Sequence, residues 1–236
     1  HIGCSGFHYK EWKEVFYPKG LPQRLWLDHY CQHFNTLELN VTFYRFPQLS
    51  FLQNWYLKTP AHFSFAVKAP RLITHYKKFD DCVSLLNDFY ETVQQGLQQK
   101  LACILFQLPA QIPYSSALLQ KIIHQLNPGF INVVEFRHNS WWQQKVYDTL
   151  SQYHISFCGI SHPQLPNEVI CNTDTVYYRF HGVPKLYYSA YDEAFIQQVT
   201  TAIQNAKQIK QAFIYFNNTA QTAAIQNART MQQLVL

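Results

Sequence analysis

Charge is scarce in this sequence. Of its 236 residues only 14% are Asp, Glu, Lys or Arg, against about 25% in an average soluble domain. The surface must therefore be solvated largely by neutral polar groups, and the glutamines scattered through the helical stretches supply them. Glycine is scarce as well. The seven glycines exclude a collagen-like chain, and they are too dispersed for a phosphate-cradling loop or a dinucleotide fingerprint. No two of the six cysteines stand as C-x-x-C, which excludes a zinc knuckle and a thioredoxin-type motif. Cys4, Cys103 and Cys158 sit in apolar runs, where a thiol acts as a small hydrophobe. That usage predicts six reduced thiols and a cytoplasmic protein. The apolar runs, such as Leu101–Phe106 and Ile131–Val134, fall far short of the roughly 20 residues that span a bilayer, so no membrane partner is expected. No signal peptide or lipidation motif is read, and His1 already stands inside a strand-like run.

What is abundant is apolar and aromatic. Hydrophobic residues make up 47% and aromatics 17%, with a net charge of +5. This excludes intrinsic disorder and suffices to bury a large core without disulfides or metals. The mild basicity admits anionic ligands. Lys and Arg are dispersed, however, with Lys77-Lys78 the one compact pair, which is not the basic stripe of a nucleic-acid footprint.

Short runs rich in β-branched and aromatic residues alternate with longer helical patterns. Strands are predicted at 1–5, 36–40, 63–68, 102–107, 131–137, 156–161, 176–181 and 211–217. Helices are predicted around 24–34, 82–98, 116–126, 142–153, 192–207 and 221–236. Strands alternating with helices of this length indicate βα units on a parallel sheet. Eight such units in a chain of this size match an α/β fold of the (β/α)8 TIM-barrel type, read as a single domain over 1–236.

Each predicted strand has an apolar body and a polar carboxyl end. These ends read Ser5-Gly6, Glu38-x-Asn40, Lys68, Gln107, Glu135-x-Arg137-His138, Ser161-His162, Arg179-x-His181 and Asn217-Asn218. Side chains two apart on a strand share a face. In a TIM barrel the carboxyl ends of the strands form the active-site face, so these residues are the candidate site. Small residues two positions inward (Gly3, Ala66, Cys103 and Gly159) would leave room beneath the polar layer or simply fit the barrel's taper.

The same strand ends carry a resemblance. Gly3-Cys4-Ser5-Gly6-Phe7, Thr36-Leu37-Glu38-Leu39-Asn40-Val41-Thr42-Phe43-Tyr44-Arg45, Phe65-Ala66-Val67-Lys68, Arg71-Leu72-Ile73-Thr74-His75, Gln107-Leu108-Pro109, Glu135-Phe136-Arg137-His138-Asn139-Ser140-Trp141, Arg179-Phe180-His181-Gly182 and Tyr215-Phe216-Asn217-Asn218 resemble, in order, the motifs of the domain of unknown function 72, or YecE-like, family. The resemblance implies a TIM-type barrel and brings no reaction with it. Two positions depart from the family's pattern: Cys4 stands where Thr is usual, and Ser161 where the sixth strand often ends in Asp. A family mechanism that relied on that Asp would not run here.

The chemistry of the strand ends is cationic. Lys68, Arg137 and Arg179, with Arg45 and Arg71 on adjoining loops, outnumber Glu38 and Glu135. An Arg fork matches carboxylate or phosphate. The expectation is an enzyme acting on a small anionic or phosphorylated molecule, with Glu38, Glu135 and His181 as acid/base groups. Substrate contacts are expected from Ser5, Asn40, Tyr44, Arg45, Lys68, His75, Gln107, Arg137, His138, Trp141, Arg179, Asn217 and Asn218. Lys68, Arg137 and Arg179 would form a common anion site. The alternative is a nucleic-acid-acting or non-catalytic binding protein that uses the same cations, with the pairs Phe43-Tyr44, Trp141-Trp142 and Tyr187-Tyr188 stacking bases or, more simply, sealing helices. No cofactor is expected. A divalent metal on Glu38, Glu135, His138 and His181 is the less favoured reading, because neighbouring arginines oppose cation binding. A carboxylate pair of the glycosidase kind and a Ser5–His hydrolase rank lower still.

Overall fold

The computed structural model describes residues 1–235. Eight strands close into a barrel in chain order: β1 (Ile2–Ser5), β2 (Thr36–Leu39), β3 (Ser64–Lys68), β4 (Leu101–Gln107), β5 (Asn132–Glu135), β6 (Ser156–Ser161), β7 (Thr175–Phe180) and β8 (Gln211–Phe216). The helices are α1 (Trp26–Cys31), α2 (Val41–Tyr44), α3 (Leu49–Lys58), α4 (Val83–Leu97), α5 (Ser116–Gln125), α6 (Gln144–Gln152), α7 (Glu193–Asn205) and α8 (Ala223–Leu234). The expected (β/α)8 barrel is therefore the observed fold. The strands are buried on both faces, as parallel strands covered by helices must be, so they read as nearly continuous apolar runs. Among the described residues no helix is long and apolar enough to cross a membrane, and all six cysteines are thiols.

The chain forms two compact units. The first comprises His1–Glu38 and Gly159–Leu236. Here β1 pairs with β2 and β8, and β7 pairs with β8 along its whole length, from Thr175↔Gln211 to Phe180↔Phe216. Gly3 is required by the β1–β2 approach. A Cβ at this position would lie 2.2 Å from the Thr36 carbonyl oxygen and 2.9 Å from the Tyr30 hydroxyl. That hydroxyl donates to Thr36 O (3.0 Å) and accepts from the Cys4 amide (2.7 Å), tying α1 to both strands. Tyr17 and Trp26 stack at 4.4 Å beneath them. Asp192 caps α7 by accepting from the Phe195 amide (2.8 Å).

The second unit is Leu39–Cys158. β4 lies between β3 and β5, with Lys68↔Leu105 and Gln107↔Glu135 in register. Helix α3 was not anticipated from sequence, although Leu49, Leu52 and Trp55 fall at helical spacing after Pro47. It packs on α4 so closely that a Cβ on Gly96 would lie 2.4 Å from Leu52 Cβ. The carbonyls at its end are closed by Lys100, whose buried Nζ donates to Tyr56 O and Thr59 O, both at 2.6 Å. Asn40, expected on the end of the second strand, is instead helical (φ −95°, ψ −14°) and opens α2. The reason is Thr42, whose hydroxyl bonds to Leu39 O (3.1 Å) and Lys68 O (2.6 Å) and turns the chain at once into helix. The strand ends Arg137, His181 and Asn217 likewise lie one or two residues past their strands.

The tight β1–β2 approach makes Gly3→Ala the informative substitution. A clash with backbone cannot be relieved by side-chain rotation, so destabilisation of about 1–3 kcal/mol is expected. At about 2–4 °C per kcal/mol for a chain of this length, calorimetry should show a clearly lowered Tm. An unchanged Tm would mean that the strands are not so close.

Candidate functional site

In the unit Leu39–Cys158 the polar ends of β3, β4 and β5 lie side by side. Lys68 is buried at the end of β3. Its Nζ donates to Gln107 Oε1 at 2.6 Å and sits over the Phe43 ring, 4.0 Å from the centroid. Glu135 is fully buried at the end of β5. Its Oε1 accepts from Arg137 Nε in an ion pair, and its Oε2 lies 3.7 Å from the Cys158 thiol. His75 is half-buried, edge-on to Phe43 with centroids 5.0 Å apart, and its Nδ1 shares a hydrogen with the Thr74 hydroxyl at 2.9 Å. Burial foremost, then Lys68, Arg137 and Arg71, pull the imidazole down to about 4, while Glu135 opposes them least strongly of the named charges. The field at His75 is therefore net positive, and the ring is neutral at physiological pH.

In the unit His1–Glu38 with Gly159–Leu236, the expected site residues are sealed. Glu38 is fully buried. Its Oε1 accepts from Arg179 Nη2 at 2.6 Å and its Oε2 from the Tyr177 hydroxyl at 2.5 Å. Arg179 is buried with it. His181 is fully buried beside Asn217, whose Nδ2 lies 2.8 Å from its Nδ1. Asn218 donates to Ser189 O and to Asn227 Oδ1, both at 3.0 Å, and so braces the loop ahead of α8. Ser5 is buried with no partner for its hydroxyl. Burial foremost pushes the Tyr9 phenol up to about 12, so it stays protonated and donates to Ser5 O at 2.5 Å.

A family model described as Protein of unknown function DUF72 matches residues 1–236. The chain belongs to the DUF72 family. It is 26% identical over 270 residues to UPF0759 protein YunF of Bacillus subtilis (strain 168), covering 100% of this chain and 94% of that protein. It is 31% identical over 113 residues to UPF0759 protein YecE of Escherichia coli (strain K12), covering 48% of this chain and 41% of that one. The crystal structure of a DUF72 family protein from Thermotoga maritima MSB8 superposes with a TM-score of 0.89 at 27% identity, over 100% of this chain and 99% of that one. A DUF72 family protein from Enterococcus faecalis V583 shares the fold, with a TM-score of 0.83 at 20% identity over 99% and 94% of the two chains.

The remaining expected residues of this DUF72 chain divide by burial. Trp141 is fully buried, stacked on Phe136 at 4.0 Å, with Nε1 donating to Ile112 O at 2.9 Å. It seals the loop after β5, the simpler of the two roles weighed for it. His138 accepts from the Ser140 amide at 3.2 Å and shapes the turn that follows. Tyr44 is exposed at the end of α2. Arg45 edges a groove of about 300 Å³ lined with Phe46, Phe51, Leu52 and Trp55. Among the described residues no three His, Cys, Asp or Glu side chains form a set that could hold a metal. Tyr177 was missed from sequence, and Phe43, expected as one of a loop aromatic pair, was not expected against Lys68. Tyr177 stands two residues before Arg179 on β7 and shares its face, which is the signal that could have found it.

The Glu38–Arg179 pair is a clean test of what these carboxylates do. Glu38→Gln leaves the buried guanidinium without its carboxylate, and the loss expected on removing one partner of a buried ion pair is about 3–5 kcal/mol. Pairing it with Arg179→Met should restore much of that loss. Denaturant titration of the three variants measures both; a single variant within 1 kcal/mol of the parent would show that the pair does not hold these strands together.

Proposed function

We propose that the protein binds a small anionic molecule, phosphate- or carboxylate-bearing, at the carboxyl ends of β3, β4 and β5, and that His75 is the group there suited to acid/base chemistry. The observation that carries this reading is the positive field at His75, where Lys68, Arg137 and Arg71 each act more strongly than Glu135. Arg179, first expected in the same anion site, is left out because Glu38 takes its charge in a buried pair. Glu38, Glu135 and His181 are likewise less suited than His75 to proton transfer, since all three are fully buried.

The chemistry follows from the field. Without ligand the imidazole is a weak base, held near 4. An anion placed among the cations cancels part of their potential and lifts the imidazole back toward its ordinary 6.5. Binding thus brings His75 into the range where a general acid or base works near neutral pH. The substrate would prepare its own proton-transfer group.

Two measurements test this. Sulfate does not titrate between pH 4 and 7, so it isolates the protein's part. Its affinity should rise as pH falls through this window, and the His75 ring resonances should report a higher midpoint with sulfate than without. Lys68→Met, which keeps the packing against Phe43 and removes the charge, should weaken sulfate binding by about 1.5–3 kcal/mol, the range for hydrogen bonds to charged groups. Equal sulfate-induced stabilisation of parent and Lys68→Met would overturn the reading.

Linkage gives an independent check. The folded-state imidazole titrates below its unfolded value of 6.5, so the unfolded chain binds more protons between the two. The stability held by neutral His75 is complete above pH 6.5 and is lost as pH falls toward 4. His75→Gln should flatten the stability profile across that interval; a profile as steep as the parent's would show that His75 is not depressed.

A further inference from the structure

Arg71 is held in an unusual way. Its guanidinium carbon lies 5.6 Å from the ring centroid of Tyr44 and 5.4 Å from that of Tyr76. These rings are its side-chain partners; among the described residues no protein acceptor takes a hydrogen bond from it. Both tyrosines are well exposed, at 64% and 63%. A surface arginine with no acceptor is ordinarily a mobile one, but here two aromatic contacts restrain the side chain while leaving its donors unused.

The backbone beneath is built for this. Residues Leu72–Tyr76 form a single wide turn, closed by the Lys77 amide on Leu72 O at 2.9 Å. Such turns recur at functional sites because they re-aim side chains that a regular helix would stack. The turn carries Arg71, His75 and Tyr76 together. It runs into three residues in the left-handed region, Lys78 (φ 50°), Phe79 (φ 63°) and Asp81 (φ 46°). A phenylalanine adopts that conformation only when its surroundings impose it, and Phe79 is fully buried against Phe106.

The contacts that connect Arg71 with Lys68 run through rings. Lys68 Nζ lies over Phe43, Phe43 packs edge-on against Tyr44 at 5.1 Å, and Tyr44 covers Arg71. Aromatic surface lies along this path of contacts from the Lys68 ammonium to the Arg71 fork. We propose that Arg71, clamped between Tyr44 and Tyr76, binds a second anionic group of the ligand, so that the substrate class is small molecules bearing two separated anionic groups, as in bisphosphates or phosphorylated carboxylates. This rests on the anion site proposed above for Lys68 and His75, and it adds the second charge and the spacing.

Alkane bisphosphonates with two to six methylenes between the phosphonates, compared with methylphosphonate by calorimetric titration, test it. The expected result is a spacer optimum that binds at least about tenfold more tightly than methylphosphonate, because the second contact forms within an already bound molecule. Arg71→Gln should reduce the best bisphosphonate to the level of methylphosphonate on the same variant, with a much smaller loss for methylphosphonate itself, because Arg71 contributes less to the field at His75 than Lys68 or Arg137. Lys68→Met should weaken both probes. If methylphosphonate binds the parent but no spacer improves on it, the two-anion inference fails and the single anion site stands. If Arg71→Gln weakens both probes alike, Arg71 belongs to the first site and the inference also fails. If methylphosphonate does not bind the parent at all, both readings fall. The spacer series on the unaltered protein decides the question even where Arg71→Gln does not fold.

Discussion

Charge carried into the barrel's strand ends has to be matched there, and much else in the structure follows from how each charge is matched. An unpaired ion in a desolvated position is strongly unfavourable. Glu38 meets this demand with Arg179 and the Tyr177 hydroxyl, and its carboxylate is fully buried. Glu135 meets it with Arg137. Lys68 donates to the Gln107 side-chain amide and packs on the Phe43 ring.

At His75 the positive field is felt directly, because the imidazole is itself partly desolvated and screening by water is reduced. Charged residues make up only 14% of the sequence, and at His75 the acidic contribution of Glu135 is outweighed by those of Lys68, Arg137 and Arg71.

The loops after β2 and β3 set which side chains surround Lys68. Helix α2 begins as soon as β2 ends, because Thr42 hydrogen-bonds back to the strand and across to Lys68 O. This sets Phe43 over Lys68 and leaves Tyr44 outside. The wide turn after β3 then brings Arg71 against Tyr44 from the other side. Neither loop has a long regular element to stabilise it. Buried anchors, Thr42 and Phe79, hold them instead.

Much was legible in the amino-acid sequence alone. The alternation of short apolar runs with helical periods determined eight βα units, and the polar residue closing each run determined which types of side chain the strand ends offer. Such signals are local: strand and helix periodicity depend on neighbours a few positions away. The family motifs lie on those same ends. What only the tertiary structure decided is partnership. Glu38 chooses Arg179, 141 positions distant, over its sequence neighbour Asn40, and Lys68 finds Gln107, 39 positions on. Arg71, read from sequence as a cation on an adjoining loop, has the rings of Tyr44 and Tyr76 as its side-chain partners. Partnership depends on strand register, on where each strand stops and on how far a side chain reaches, and these are properties of the assembled barrel, in which residues remote in sequence compete for the same few buried positions.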